Sequence, residues 1–175
     1  MAIDETLTFH PLHIAILTVS DTRTHETDTS GACLEERASS AGHTVVERRI
    51  LPDDIDALIV QLNTWANRAD IEVILTTGGT GVTGRDSTPE AVEAVGEKLI
   101  PGFGELFRWL SYQKIGTSTI QSRAAAAVTR GTYIFAIPGS TGACKDAWDG
   151  ILKDQLDIRH RPCNFAELIP RLREH

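Results

Sequence analysis

The chain reads as an α/β domain: three layers, α/β/α, around a mostly parallel central sheet. Three observations lead there. Continuous apolar runs of strand character stand at residues 12–19, 71–76 and 132–137, and strands without polar alternation are those covered on both faces. Between such runs lie segments with apolar residues at helical spacing, above all Ile55, Leu58, Ile59, Leu62 and Trp65,. The runs also end in glycine- or proline-bearing turns followed by helix-start signals, the mark of strand–turn–helix units. Ligands of such sheets bind beyond the carboxyl ends of the strands.

Taken in order, residues 1–10 read as an N-terminal tail with no apolar segment of a secretory signal,. The strand at 12–19 ends at Ser20-Asp21, and a polar stretch leads to Asp28-Thr29-Ser30-Gly31. There Asp28 or Ser30 caps a helix with Leu34, Ala38 and Ala41 on one face, stopped by Gly42,. The strand at 43–51 ends at Pro52. Asp53, Asp54 and Asp56 then crowd the first turn of the next helix, where acids complement the helix dipole,.

The run at 71–76 is the third strand, and the chain then breaks into Gly78, Gly79, Gly81 and Gly84. The following helix starts at Ser87 or Thr88, with Pro89 in its first turn, and covers 89–98. A further helix opens at Pro101 with Phe103, Leu106, Phe107 and Leu110 on its core face. Trp109 and Tyr112 lie off that stripe and suit a subunit contact. Gly116 to Thr119 reads as the cap of a helix running through Gln121-Ser122-Arg123 to Thr129. After the strand at 132–137, Pro138-Gly139-Ser140-Thr141 turns into a final helix with Cys144, Ala147, Trp148, Ile151 and Leu152 on one face. A single domain is therefore expected over 11–165, with a C-terminal tail at 166–175.

Composition narrows the class. A chain of 175 residues can bury one substantial core,. A net charge of −7 speaks against a nucleic-acid surface,, and no apolar run approaches a membrane span. Cys33, Cys144 and Cys163 are odd in number and far apart, without zinc spacing, as expected of reduced thiols in a cytoplasmic protein,.

The chemistry gathers at 71–90, IEVILTTGGTGVTGRDSTPE. A glycine loop between a strand and a helix N-terminus can aim its N–H groups at a phosphate. Asp86, between loop and helix, can hold Mg²⁺ against that phosphate. Gly79 to Gly84 formally fits G-x-G-x-x-G, but Pro89 places the helix start beyond Gly84, whereas the dinucleotide fingerprint needs its last glycine inside the helix,. No Gly-Lys-Ser/Thr follows, so a Walker loop is also out. The Pro138–Thr141 turn offers the same physics a second time, which suits a ligand with phosphates at both ends, or two ligands meeting end to end.

Thr76 to Gly81 (T-x-G-G-T-G) with Asp86, Thr88 and Pro89, then Pro52-Asp53, Pro101-Gly102-Phe103-Gly104-Glu105 and Gln121-Ser122-Arg123, closely resemble the molybdenum cofactor biosynthesis family of molybdopterin adenylyltransferases and gephyrin G-type domains. The likeness spans about residues 12–165. Ser140-Thr141 stands where enzymatic members carry a Pro-Gly-x-Pro type turn, and Gly116 to Arg123 with Pro138 to Cys144 resembles the family's MoaB-like branch. The resemblance implies the family's α/β/α fold and transfer of an adenylyl group from Mg-ATP to molybdopterin, with pyrophosphate released.

It assigns Asp53 and Asp86 to catalysis and Mg²⁺. Substrate falls to Ser20, Ser30, Thr77, Gly78, Gly79, Thr80, Gly81, Ser122, Arg123, Pro138, Gly139 and Ser140. Capping remains open for Ser20 and Ser30, and Arg123 can equally cover an apolar face with its stem. The expected partners are molybdopterin and nucleotide, and other copies of the chain in a homotrimer or hexamer. The arm at 161–165 is expected to pack on a neighbouring subunit. The Ser140-Thr141 departure keeps a second reading open, a molybdopterin-binding or carrier protein without turnover.

Overall fold

A six-stranded sheet in the order β2-β1-β3-β6-β5-β4 runs through the computed structural model, which describes residues 3–172 and Glu174. Its strands are β1 (His13–Val19), β2 (Thr44–Leu51), β3 (Val73–Thr77), β4 (Lys98–Leu99), β5 (Ala125–Thr129) and β6 (Thr132–Ile137). β2, β1, β3 and β6 are mutually parallel, while β5 and β4 join as an antiparallel edge. β3 and β6 are buried along their whole length and β1 from Ile14 onward. That burial is why these strands are apolar runs rather than alternating ones.

Helices cover both faces. On one, α1 (Thr29–Ser40), α4 (Pro101–Ile115) and α5 (Thr141–Ala147) pack Leu34, Ala38, Phe103, Phe107, Cys144 and Ala147 against Ile14, Ile16, Val73 and Phe135. On the other, α2 (Ile55–Ala66) and α3 (Thr88–Val95) bring Leu58, Leu62, Trp65 and Val92 onto Ala15, Leu17, Ile74 and Ala136. The expected three-layer α/β/α architecture is therefore present. α5 continues through a π-helical segment, Trp148–Leu152, into α6 (Lys153–Gln155). Among the described residues, no helix is long and apolar enough to cross a membrane.

Two elements differ from the sequence reading. The helix expected through Gln121-Ser122-Arg123 to Thr129 is instead a 3₁₀ segment, Gly116–Gln121, followed by β5. Alanine favours helices, but propensity is a weak prior that tertiary context overrides. Here β4 and β6 pair with both edges of β5, and Ala126 and Ala127 are buried. Arg130 (φ 50°) and Gly131 (φ 82°) join β5 to β6 as a two-residue hairpin,. The helix expected over 89–98 stops at Val95, because Lys98 and Leu99 pair with Val128 and Ala127 as β4.

The segments read as tails make contacts with the body. Ile3 bridges to His160, and the Asp4 N–H donates to the Arg159 carbonyl at 2.8 Å. Phe9 lies 5.2 Å from the His43 ring. α7 (Phe165–Leu168), capped by buried Asn164, sets Phe165 4.9 Å from Tyr133 and 5.7 Å from Phe135. The arm expected on a neighbour thus packs on its own sheet.

β1 leads to α1 on one face of the sheet, whereas β3 leads to α3 on the other. The adjacent carboxyl ends of β1 and β3 are therefore a topological switch point, where a crevice must open.

Candidate functional site

At that switch point lies a cavity of about 520 Å³. It gathers the ends of three parallel strands: Thr18, Val19 and Ser20 at the end of β1, Thr77 to Gly81 at the end of β3, and Pro138 to Ser140 after β6. Ser30, Asp86, Gln121, Ser122 and Arg23 complete the wall. Twelve of the sequence-predicted residues thus converge here: Ser20, Ser30, Thr77, Gly78, Gly79, Thr80, Gly81, Asp86, Ser122, Pro138, Gly139 and Ser140. Asp53 and Arg123 do not line it.

The glycine loop owes its path to two residues. Gly78 has φ 107°, and a Cβ there would stand 2.2 Å from the Val19 carbonyl oxygen, so only glycine lets β1 and the loop approach this closely,. Gly79 has φ 61°, and its missing Cβ leaves room for Asp53 Oδ2, 2.5 Å from where that atom would be. The Gly78 N–H donates to the Ile137 carbonyl. Among the described residues, the N–H groups of Gly79 and Thr80 meet no acceptor, which leaves them open to an anion.

The helix N-terminus contributes less than its sequence suggests. The Ser87 N–H donates to Asp53 Oδ1 at 3.1 Å and the Thr88 N–H to the Gly79 carbonyl at 3.0 Å. The cavity is faced by the loop, not by the first turn of α3. Ser87 is the N-cap residue but gives α3 no side-chain cap bond; its hydroxyl donates to Asp53 Oδ1 at 2.6 Å.

Asp53 therefore sits behind the loop and holds the start of α3. Asp86 faces the cavity, its Oδ2 accepting from the Thr83 N–H (2.8 Å) and hydroxyl (2.5 Å). That hydroxyl above all keeps the Asp86 carboxyl below the ordinary carboxylate range. It outweighs burial, with help from the Thr83 and Gly81 N–H groups and the Arg123 charge. Among the described residues, no three His, Cys, Asp or Glu side chains cluster as a metal cage.

Arg123 works on the loop from outside the cavity. Its Nε donates to the Gly81 carbonyl at 2.6 Å, its Nη2 to the Asp86 carbonyl at 2.7 Å, and its Nη1 pairs with Glu90. Both ends of the 81–86 segment are thereby tied to one guanidinium. The substrate contact that the resemblance implies for Arg123 is left to its two remaining N–H groups, one on Nη1 and one on Nη2.

The floor is polar but internally satisfied. Buried Asp28 caps α1 through the Gly31 N–H (2.9 Å) and accepts from the hydroxyls of Thr18 (2.7 Å) and Ser30 (3.1 Å). Burial raises its carboxyl, but the Gly31 N–H, those hydroxyls and Arg48 together hold it below its ordinary value. The Thr77 hydroxyl donates to the Pro138 carbonyl at 3.2 Å and touches the Cys144 sulfur. Burial pushes the Cys144 thiol up to about 12, so it stays protonated and unreactive,.

Sequence reasoning missed Thr18, Val19, Gln121 and Arg23 in the wall. Thr18 and Val19 were legible as the end of an apolar strand, and Gln121 adjoins a recognised motif. Arg23 carried no signal, since one arginine in a polar loop reads as solvated.

The family model described as a probable molybdopterin binding domain matches residues 15–158. A molybdenum cofactor biosynthesis protein B from Escherichia coli (strain K12) is 51% identical over 157 residues, covering 90% of this chain and 92% of that protein. Another, from Halalkalibacterium halodurans, is 50% identical over 142 residues, covering 81% and 84%. A crystal structure of a molybdenum cofactor biosynthesis protein B matches with a TM-score of 0.85 at 38% identity, over 95% of this chain and 98% of that one. The chain belongs to the molybdenum cofactor biosynthesis family of molybdopterin-binding domains, in the branch of its protein B members.

Proposed function

We propose that this chain acts in molybdenum cofactor biosynthesis by binding molybdopterin in the switch-point cavity and adenylylating it with Mg-ATP. The observation that carries the reading is the wall itself: free N–H groups at Gly79 and Thr80 beside the ionised carboxylate of Asp86. Transfer of this kind asks little covalent chemistry of a protein. Two phosphates must be held in line, with their charge neutralised.

The residues fit Mg²⁺ in a limited way. Mg²⁺ typically takes one or two carboxylates and completes its shell with water and substrate phosphates, and Asp86 is a carboxylate on the cavity wall. Asp53 reaches toward the loop only through Oδ2 beside Gly79, because Oδ1 accepts twice from Ser87. When bound, the ion would neutralise charge on the bridging phosphates. The chain's own part is to present loop N–H groups, fix Asp86 through Thr83 and Arg123, and keep pterin and nucleotide end to end between the Gly78 and Pro138 turns.

A second reading, binding without turnover, is favoured by one observation. Ser140 stands where enzymatic relatives of the resemblance carry a different turn, and its hydroxyl is committed to the Ala143 N–H at 3.1 Å. Incubation of the purified protein with molybdopterin and Mg-ATP, with detection of adenylylated product and pyrophosphate, separates the two. Product in stoichiometric excess over protein supports transfer. Tight molybdopterin binding without product leaves the carrier reading.

A further inference from the structure

Among the described residues, Arg23 is the only cationic side chain on the cavity wall. The other arginines near the site are neutralised by acids: Arg48 by Asp28 and Glu35, Arg85 by Asp21, Arg123 by Glu90. Arg23 has no carboxylate within ion-pair distance among the described residues, in a chain of net charge −7.

It is nevertheless held in place. Its backbone N–H and that of Thr22 donate to the Ser20 hydroxyl at 3.2 and 3.3 Å, which folds the loop back on the end of β1. Its Nη1 donates to the Thr27 carbonyl (2.5 Å) and the Thr29 hydroxyl (3.2 Å). Thr29 in turn accepts from the Thr141 hydroxyl at 3.0 Å, which fixes this corner beside Ser140. One nitrogen thus anchors the guanidinium, while Nε and Nη2 meet no acceptor among the described residues. An anchored fork with free donors and no counter-charge suits a phosphate oxygen, which takes paired N–H bonds.

We propose that Arg23 is the phosphate-recognising side chain of this cavity, in place of Arg123, to which the resemblance assigned a substrate contact. The inference rests on the reading of the cavity as a molybdopterin and nucleotide site. Its ligand chemistry is a phosphate group, supplied by the pterin's terminal phosphate or by the nucleotide. Arg123, committed to the loop carbonyls, shapes the same site without touching the ligand.

The test measures equilibrium binding of molybdopterin alone, Mg-ATP alone and inorganic pyrophosphate to the wild-type chain, Arg23→Ala and Arg23→Lys. Urea midpoints of all three establish that each variant is folded. Charge-assisted bonds of this kind are strong, so Arg23→Ala is expected to weaken at least one phosphate ligand about tenfold or more. Its binding should also depend less on salt. Arg23→Lys should recover part of the affinity and all of the salt dependence, which a purely structural role of Arg23 would not produce. The ligand that loses affinity identifies which phosphate sits there.

Unchanged affinity of Arg23→Ala for every ligand that the wild type binds overturns the inference and leaves the proposed function standing. Arg23-dependent binding of pyrophosphate by a chain that ignores molybdopterin does the reverse. A wild type that binds none of the three overturns both.

Discussion

The two halves of the sheet divide the molecule's work. In the parallel half, β2-β1-β3-β6, the strands β1, β3 and β6 end at the cavity, and their ends and following loops contribute nearly every residue of the wall. The antiparallel edge, β5-β4, supplies only Gln121 and Ser122, at the end of the 3₁₀ segment that precedes it. Over that edge α4 leaves Trp109, Tyr112 and Ile115 more than half exposed. One half is organised by close backbone approach and satisfied polar groups, the other by an apolar face turned outward. Ligand chemistry needs a rigid frame at strand ends, whereas assembly needs uncommitted surface. Close backbone approach and outward apolar surface thus belong to different strands of one sheet.

The largest effect should come from closing the gap between strands at the cavity. Gly78→Ala places a Cβ 2.2 Å from the Val19 carbonyl at φ 107°, and a cost of about 4 kcal/mol or more is expected. Gly102, in the first turn of α4, has open space around its missing Cβ. Gly102→Ala should therefore be neutral or stabilise by about 0.5 kcal/mol. Urea unfolding of the two variants checks the contrast. Similar losses in both would mean that the halves are not built differently.

Next comes the carboxylate on the cavity wall. Asp86→Asn keeps acceptor capacity toward Thr83 but removes the charge, and it should leave molybdopterin binding nearly intact. Adenylyl transfer should fall by about 100-fold, equivalent to about 2.7 kcal/mol at the transition state. Single-turnover assays at saturating molybdopterin read this directly, and an unchanged rate would reduce Asp86 to a loop-shaping residue.

The apolar face of α4 follows. Leu106, Trp109, Tyr112 and Ile115 are 43%, 62%, 55% and 56% exposed, an unusual concentration on one helix,. The family resemblance leads to an expected trimer, and this face would be its contact. Tryptophan and tyrosine anchors at an interface typically cost about 2 kcal/mol each when truncated. Trp109→Glu with Tyr112→Glu should thus shift the light-scattering mass toward the monomer without lowering the urea midpoint at concentrations where both are monomeric. A wild type that is already monomeric at micromolar concentration removes this surface as an assembly site.

How legible each half was in the sequence follows from the same contrast. The inner strands β1, β3 and β6 announced themselves because burial on both faces demands apolar runs,, and the turns after β3 and β6 carried glycines. β5 announced nothing: Ala124 to Ala127 has the composition of a helix, and β4 is only Lys98–Leu99. Their strand identity comes from pairing partners far away in sequence. The site was legible to the level of the loop, but not to the side of the loop. The motif that brought Asp53 and Arg123 to the glycines could not say that both lie behind them. Arg23, set by a hydrogen-bonded turn around Ser20, had no spacing to betray it. The one local sign of the hairpin was Arg130-Gly131 between an alanine run and an apolar strand.

That hairpin offers the smallest and most discriminating prediction. Gly131 sits at φ 82°, where an L side chain is strained, so Gly131→Ala should cost about 1 kcal/mol,. Arg130, at φ 50°, is also left-handed, but asparagine tolerates that region better,. Arg130→Asn gives up the bond from its guanidinium to Asn63 at 2.6 Å, and the two effects should cancel to within about 0.5 kcal/mol. The turn joins the end of β5 to the start of β6, so it lies at the opposite end of β6 from Pro138 and the cavity. Gly131→Ala should therefore lower the urea midpoint while leaving molybdopterin affinity where it was. Loss of affinity in a fully folded Gly131→Ala chain would show that the antiparallel edge sets the geometry of the cavity, and the division between the halves would fall.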